Sequence, residues 1–213
     1  MKYTKFLEML FKTRDLKNCL YTCLKYNFLY NSNKIYGSEF SKEHLAILLD
    51  KNIVKGTHYL GDVFETINSF KVFDTIIDTL ETKIINTFIK DLYFKLTFNH
   101  KLYNKNSIDL FNLQPNIKLY ESYKLQEEIK ELLDWYYNLN EISLKEIAIF
   151  HIRFQLINPF KDGRIGRFIM LKQLLENRLP LKIIPGNEKK SYKKILSSCN
   201  ENNYNPLYLY III

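Results

Sequence analysis

Between Asn158 and Arg167 the chain reads Asn158-Pro159-Phe160-Lys161-Asp162-Gly163-Arg164-Ile165-Gly166-Arg167, and most of its chemistry-bearing residues gather there. Asp162 offers one carboxylate in an Asp-Gly turn. Together with phosphate oxygens and waters that is an adequate Mg²⁺ site, and it is equally good turn chemistry. Arg164 and Arg167 are spaced to grip an anion, because guanidinium pairs well with phosphate or carboxylate. Asn158 is an amide, which does not accept a proton at neutral pH, so it can orient a hydroxyl or stabilise the turn but cannot act as a base. His151, seven residues earlier, has the imidazole that acid–base catalysis favours. It lies two helical turns from Asn158, which suits a satisfied core histidine better than a catalytic one.

Helices must position these groups. Ser143 can cap a helix, with Glu146 three residues on completing a capping box, and that helix runs to about Ile157. Pro159 and Gly163 force a turn. Arg164 to Glu176 follows as a strongly apolar, central helix. Upstream, helices are expected over Phe6–Phe28 (one or two), from the Ser41 cap to near Asp50, over Asp62–Leu80, over Thr82–Phe98, and over Ser122–Leu139 with Leu125, Ile129, Leu132, Leu133 and Tyr136 at amphipathic spacing. Asn31–Ser41 reads as a loop, Gly56 and Gly61 bracket a turn, and residues 99 to 121 read as an Asn-rich loop or short hairpin. Pro180 and Pro185 bound a short extended piece. The terminal Leu207-Tyr208-Leu209-Tyr210-Ile211-Ile212-Ile213 reads as a packed strand or helix end. The expected architecture is all-α, a single helical domain over 1–213.

The chain has 213 residues and a formal charge of +8. Its lysines are spread thinly, so a solvated surface is favoured over a nucleic-acid patch; Lys189-Lys190 with Lys193-Lys194 is the one local concentration. Cys19, Cys23 and Cys199 make an odd, sparse set that suits buried thiols in a reducing compartment better than zinc. The opening residues carry neither a long apolar run nor a small-residue cleavage site, so no signal peptide is expected. No segment has the ~18 apolar residues a membrane span needs. A cytoplasmic location is therefore expected, with delivery into another cell left open.

The stretch from Phe150 to Lys172 resembles the signature of the Fic (Fido) family, His-Pro-Phe-x-Asp/Glu-Gly-Asn-Gly-Arg-x-x-Arg. The similarity extends to Phe150–Gln155, where Glu often stands in place of Gln155, to Ile169–Lys172, Pro180 and Ile183-Ile184, to Gln114–Ile117, and to Glu65–Asn68 with Phe73-Asp74. It covers most of residues 30 to 185. It implies a Fic-type helical bundle with a short flap or hairpin loop before the motif helix, a core of about 62–185 and an N-terminal helical segment of about 1–50. In active relatives the motif His takes a proton from a protein hydroxyl as that oxygen attacks the α-phosphate of ATP.

Carried onto this chain, the resemblance puts Asn158 at the position of the base. It puts Asp162 at the Mg²⁺ position and Gly163, Arg164, Gly166 and Arg167 at the nucleotide phosphates. His151, Phe154, Pro159 and Phe160 fall at structural positions, with Phe160 packing under the loop. The family's Gly-Asn-Gly nest of amides is shortened to Gly163 alone, and a gap there keeps Arg164 and Arg167 at Arg-x-x-Arg spacing. Ser32-Asn33-Lys34-Ile35-Tyr36-Gly37 resembles the inhibitory motif Ser/Thr-x-x-x-Glu-Gly/Asn, with Tyr36 in place of the Glu that pairs with the second arginine; a phenol there could still hydrogen-bond Arg167. The flap, roughly Lys105 to Glu121, would hold a target segment by strand addition.

Loss of a general base typically costs about 100- to 10,000-fold. The expectation is thus a Fic-like protein related to adenylyltransferases, degenerate or inactive, that works as a binding or regulatory module for a protein target or partner and is compatible with a homodimer. The alternative is an active transferase using ATP or another phosphate-containing donor, with Mg²⁺ and ATP as its cofactors.

Overall fold

The computed structural model describes residues 2–16, 19–103, 115–160, 162–200 and 203–212. Its helices are α1 (Lys2–Lys12), α2 (Leu20–Tyr36), α3 (Lys42–Lys51), α4 (Leu60–Asp78), α5 (Asn86–Tyr103), α6 (Pro115–Tyr137), α7 (Leu144–Ile157), α8 (Gly163–Glu176), α9 (Lys189–Ser198) and α10 (Asn205–Ile212), with one 3-10 turn at Gly186–Glu188. Among the described residues there is no strand, and a lone antiparallel bridge joins Asn200 to Asn203. The fold is all-α, as expected.

Helix α8 forms the axis. Every residue from Arg164 to Leu175 is buried, and α7, α4, α2 and α5 pack around it. A helix buried on all faces belongs in the core, and Ile165, Phe168, Ile169 and Leu174 are fully shielded from solvent. Burying each such side chain is worth roughly 1.5–3 kcal/mol relative to leaving it exposed. Helix α7 sets the approach to the site. The Ser143 N–H donates to the Glu146 carboxylate at 3.0 Å, and the Ser143 hydroxyl accepts from Lys145 N–H at 3.2 Å, so the first turn is closed. The capping box and the boundary near Ile157 are as the sequence indicates.

Several boundaries differ from expectation. Helix α2 runs through Tyr36, so Ser32, Asn33 and Tyr36 are helical rather than in a loop. It stops at Gly37, whose φ of 130° suits glycine and whose N–H donates to Asn33 O. Gly61 lies inside α4, and only Gly56, with φ of 85°, turns the loop before it. Helix α5 starts later than expected and continues to Tyr103, and α6 begins at Pro115. Proline suits a first helical turn because the N–H it lacks would have no intrahelical partner there. Residues 99–103 and 115–121 are therefore helix rather than loop or hairpin, the latter stretch including the end of the expected flap, and 104–114 fall outside the described residues. The C-terminal apolar run is helix α10. Among the described residues no helix is long and apolar enough to cross a membrane.

Candidate functional site

The turn between α7 and α8 is held at both ends. Asn158 caps α7 in the left-handed conformation, with φ 46° and ψ 53°, and its N–H donates to Phe154 O. Asparagine tolerates this conformation better than most residues, and the exposed Asn158 side chain faces a cleft. Pro159 follows in the turn, and Lys161 lies outside the described residues. Phe160 stacks on Tyr93 with ring centroids 4.3 Å apart. Asp162 caps α8 and accepts from Arg164 N–H at 3.0 Å.

Arg164 is enclosed. Its Nε donates to both Asp162 oxygens at 3.0 and 3.1 Å, and Nη2 donates to Asp162 Oδ2 at 2.6 Å. Nη1 reaches Glu65 Oε2 on α4 at 2.7 Å. The face of Tyr36 covers the guanidinium, 3.6 Å from ring centroid to carbon. Arg164, Asp162 and Glu65 are all buried. Burial opposes the arginine's charge, but the bonds and field of Asp162 and Glu65 outweigh it and hold its pKa above the usual value.

Three residues on, Arg167 sits in a different environment. Its Nε donates to Ser32 Oγ and its Nη2 to Ser32 O, each at 3.0 Å. It makes no ion pair among the described residues, and burial draws its pKa down, opposed by Tyr192 and Asp162. His151 Nδ1 lies 3.1 Å from Gly166 O and Nε2 lies 2.7 Å from the Tyr192 hydroxyl. A carbonyl only accepts, so Nδ1 carries the proton and donates to Gly166, and Nε2 accepts from Tyr192. Burial, then the nearby Arg167 charge, pull the His151 pKa down to about 3. His151 is therefore neutral, fully buried and bonded at both nitrogens, in the position of a core histidine.

Gln155 fills the space above the first turn of α8. Its Nε2 donates to Gly163 O at 3.0 Å. A Cβ on Gly166 would meet Gln155 Nε2 at 2.5 Å and Phe154 Cδ1 at 3.1 Å, so a side chain there would displace Gln155 from its place over the turn. Phe154 itself is buried in the core. Beside the turn opens a cleft of about 470 Å³, lined by Tyr36, Gln155, Asn158, Gly163, Arg167 and Lys193 among others.

The structure thus brings Asn158, Gly163, Arg167 and Tyr36 to one cleft, and draws Asp162 and Arg164 into an internal ion-pair cluster. Ser32 and Tyr36 project from α2 toward different arginines: Ser32 bonds Arg167, whereas Tyr36 lies on Arg164. The hydrogen bond that a phenol at Tyr36 could offer Arg167 is not formed; the ring lies on the neighbouring Arg164 guanidinium instead. Sequence reasoning gave no role to Glu65 or Tyr192, whose partners are distant in the chain.

The donor set can be tested for Mg²⁺. Both Asp162 oxygens receive N–H bonds from Arg164, and among the described residues no group of three His, Cys, Asp or Glu side chains converges. With its oxygens so occupied, the Asp162 carboxylate as arranged does not fit Mg²⁺. For a nucleotide the fit is partial: Arg167 and Lys193 face the cleft, while Asp162 caps the Arg164 amide and Gln155 covers Gly163 and Gly166.

No protein-family model matches the chain, and no curated protein matches it. Solved structures do. A Fic-domain-containing signalling protein from Bacteroides thetaiotaomicron superposes with a TM-score of 0.74 at 19% identity, covering 99% of this chain and 91% of that one. A variant of Fic-1 from C. elegans gives 0.69 at 19% identity, covering 98% and 68%. A Fic family protein from Desulfovibrio desulfuricans gives 0.66 at 15% identity, covering 99% and 70%. The chain has the fold of Fic-domain proteins. At these identities the likeness establishes the fold and leaves the chemistry to be argued from the site.

Proposed function

We propose that this chain is a Fic-fold binding or regulatory module that has lost adenylyl transfer. The observation that carries the reading is that Asp162, which the resemblance assigns to Mg²⁺, caps α8 and clamps Arg164 instead. Asn158 supplies no proton acceptor at the position of the family's base. The cleft beside Arg167 retains the means to hold an anionic group, either a nucleotide phosphate or a carboxylate presented by a protein partner. Buried without a contacting carboxylate, Arg167 is the group that such an anion would neutralise.

A second reading rests on that same arginine. With Lys193 across the cleft, it could serve a transferase using another phosphate-containing donor. One experiment separates the two. The folded protein is incubated with Mg²⁺ and ATP labelled at the α-phosphate, alone and with cell lysate, alongside calorimetric titration of Mg-ATP. The module reading expects no covalent label, and any nucleotide heat to vanish in Arg167→Ala and to be indifferent to Mg²⁺. Robust labelling that disappears in Asp162→Ala would overturn it. Label from another donor that disappears in Arg167→Ala would support the second reading.

A further inference from the structure

Away from this site, the loop of residues 52–59 folds back on α3 and brings two histidines together edge to face. His44 Nδ1 lies 3.4 Å from His58 Nε2, with the rings at 87° and their centroids 5.6 Å apart. That separation is long for an N–H donor, whose bonds usually span about 2.7–3.2 Å. It does match a tetrahedral edge: two nitrogens at about 2.0–2.1 Å from one zinc ion stand about 3.4 Å apart. The Lys55 carbonyl oxygen, 3.0 Å from His58 Nε2, accepts that nitrogen's proton in the ion-free chain; an ion that displaced the proton would find this oxygen as a third donor atom beside the pair.

The surroundings hold this arrangement. His58 stacks on Phe40 with centroids 3.8 Å apart and planes 1° apart, which fixes its ring. Lys55 Nζ pairs with Glu43 at 2.6 Å, tying the loop to the helix that carries His44. Gly56 has φ of 85°, and a Cβ there would lie 2.8 Å from His44 Cε1 and 3.2 Å from Nδ1. Glycine is therefore what allows the loop to pass the His44 ring.

We propose that His44, His58 and the Lys55 carbonyl form a site for a tetrahedral transition ion of the Zn²⁺ or Co²⁺ type, completed by water. No third side-chain ligand joins them among the described residues. His58 Nδ1 is buried without a hydrogen-bond partner. With Nε2 on the ion, the Nδ1 proton has no acceptor, which places the affinity about 10–100-fold below that of a buttressed histidine site. A bound ion would pin the loop to α3 and fix the start of α4. There Tyr59, Gly61 and Asp62 line a cleft of about 320 Å³ that borders Tyr36.

Titration of the reduced full-length protein with Co²⁺ tests this. The expected result is a saturable one-to-one visible band of tetrahedral intensity, displaced by Zn²⁺, with no thiolate charge-transfer band in the near ultraviolet. His44→Ala and His58→Ala should each weaken binding at least about tenfold, since even outer-shell changes reach that size. Gly56→Ala should weaken it with every ligand intact. Zn²⁺ should raise the melting temperature of the wild type and not that of the two histidine variants. Absence of a saturable band would overturn the proposal, as would a band unchanged in both histidine variants or one carried by thiolate.

Discussion

Arg164 and Arg167 occupy the same turn of the same helix, yet their surroundings divide that turn in two. Arg164 is bound by two carboxylates and covered by an aromatic face. Arg167 touches only neutral oxygens and lines the open cleft. A buried cation whose donors are all met by anions is structural: it joins α8 to α4 and closes the turn. A buried cation without a contacting carboxylate holds its charge in reserve for an incoming anion. An Arg-x-x-Arg pattern does not distinguish the two.

The largest expected effect tests this division directly. Arg164→Met leaves Asp162 and Glu65 buried beside each other without their counter-ion, and removing one partner of a buried pair typically costs about 3–5 kcal/mol. Arg167→Met leaves only neutral acceptors, Ser32 and Tyr192, at about 1–3 kcal/mol, partly offset because a poorly compensated charge is no longer buried. Urea unfolding of the two variants should therefore rank Arg164→Met well below Arg167→Met. Equal losses would mean that Arg167 has a structural counter-charge as effective as the Arg164 carboxylates.

The Arg167 side also contains the group that should make stability sensitive to acid. His151 is neutral in the fold, with its pKa pulled down to about 3 by burial and then by Arg167. The unfolded chain takes up a proton at this residue below about pH 6.5. The stability that His151 contributes is thus complete above pH 6.5 and is lost as pH falls toward 3. The slope approaches about 1.4 kcal/mol per pH unit, or roughly 2–3 kcal/mol by pH 4.5. Nuclear magnetic resonance should find the His151 ring unprotonated at pH 4.5, and a Gln substitution should flatten the unfolding profile by about one proton. A ring that titrates near 6.5 in the folded protein would rule out the neutral relay from Gly166 through Tyr192.

The frame of this turn was legible in the sequence, because local chemistry specifies it. Ser143 with Glu146 marks the start of α7, Asp162-Gly163 marks the start of α8, and the apolar run to Glu176 marks a buried helix. The fates of the two arginines were not legible. Glu65 lies 99 residues from Arg164, Ser32 lies 135 from Arg167, and Tyr192 lies 41 from His151, so no local pattern links them. The same cause explains the misplaced end of α2. Ser32 and Asn33 read as loop residues by composition, but both are buried and bonded to other helices: Ser32 accepts from Arg167, and Asn33 Nδ2 donates to the Ser69 hydroxyl at 3.1 Å. Tertiary partners there outweigh intrinsic propensity.

The smallest expected effect concerns Tyr36, which stands where the two halves meet. It is 46% exposed, covers Arg164, and borders both the 470 Å³ cleft and the smaller one beyond it. Its hydroxyl makes no hydrogen bond among the described residues, so what it contributes comes from the ring face over the guanidinium. Cation–π contacts contribute about 0.5–1 kcal/mol when exposed and about 2 when desolvated. Tyr36→Ala should lie within that span, and Tyr36→Phe should leave stability nearly unchanged. If Phe destabilised as much as Ala, the hydroxyl would be the working group, and Tyr36 would belong with the hydrogen-bonded surroundings of Arg167 rather than with the enclosure of Arg164. If neither mattered, the two carboxylates alone would account for the enclosure, and the ring would be free to swing aside and join the two clefts.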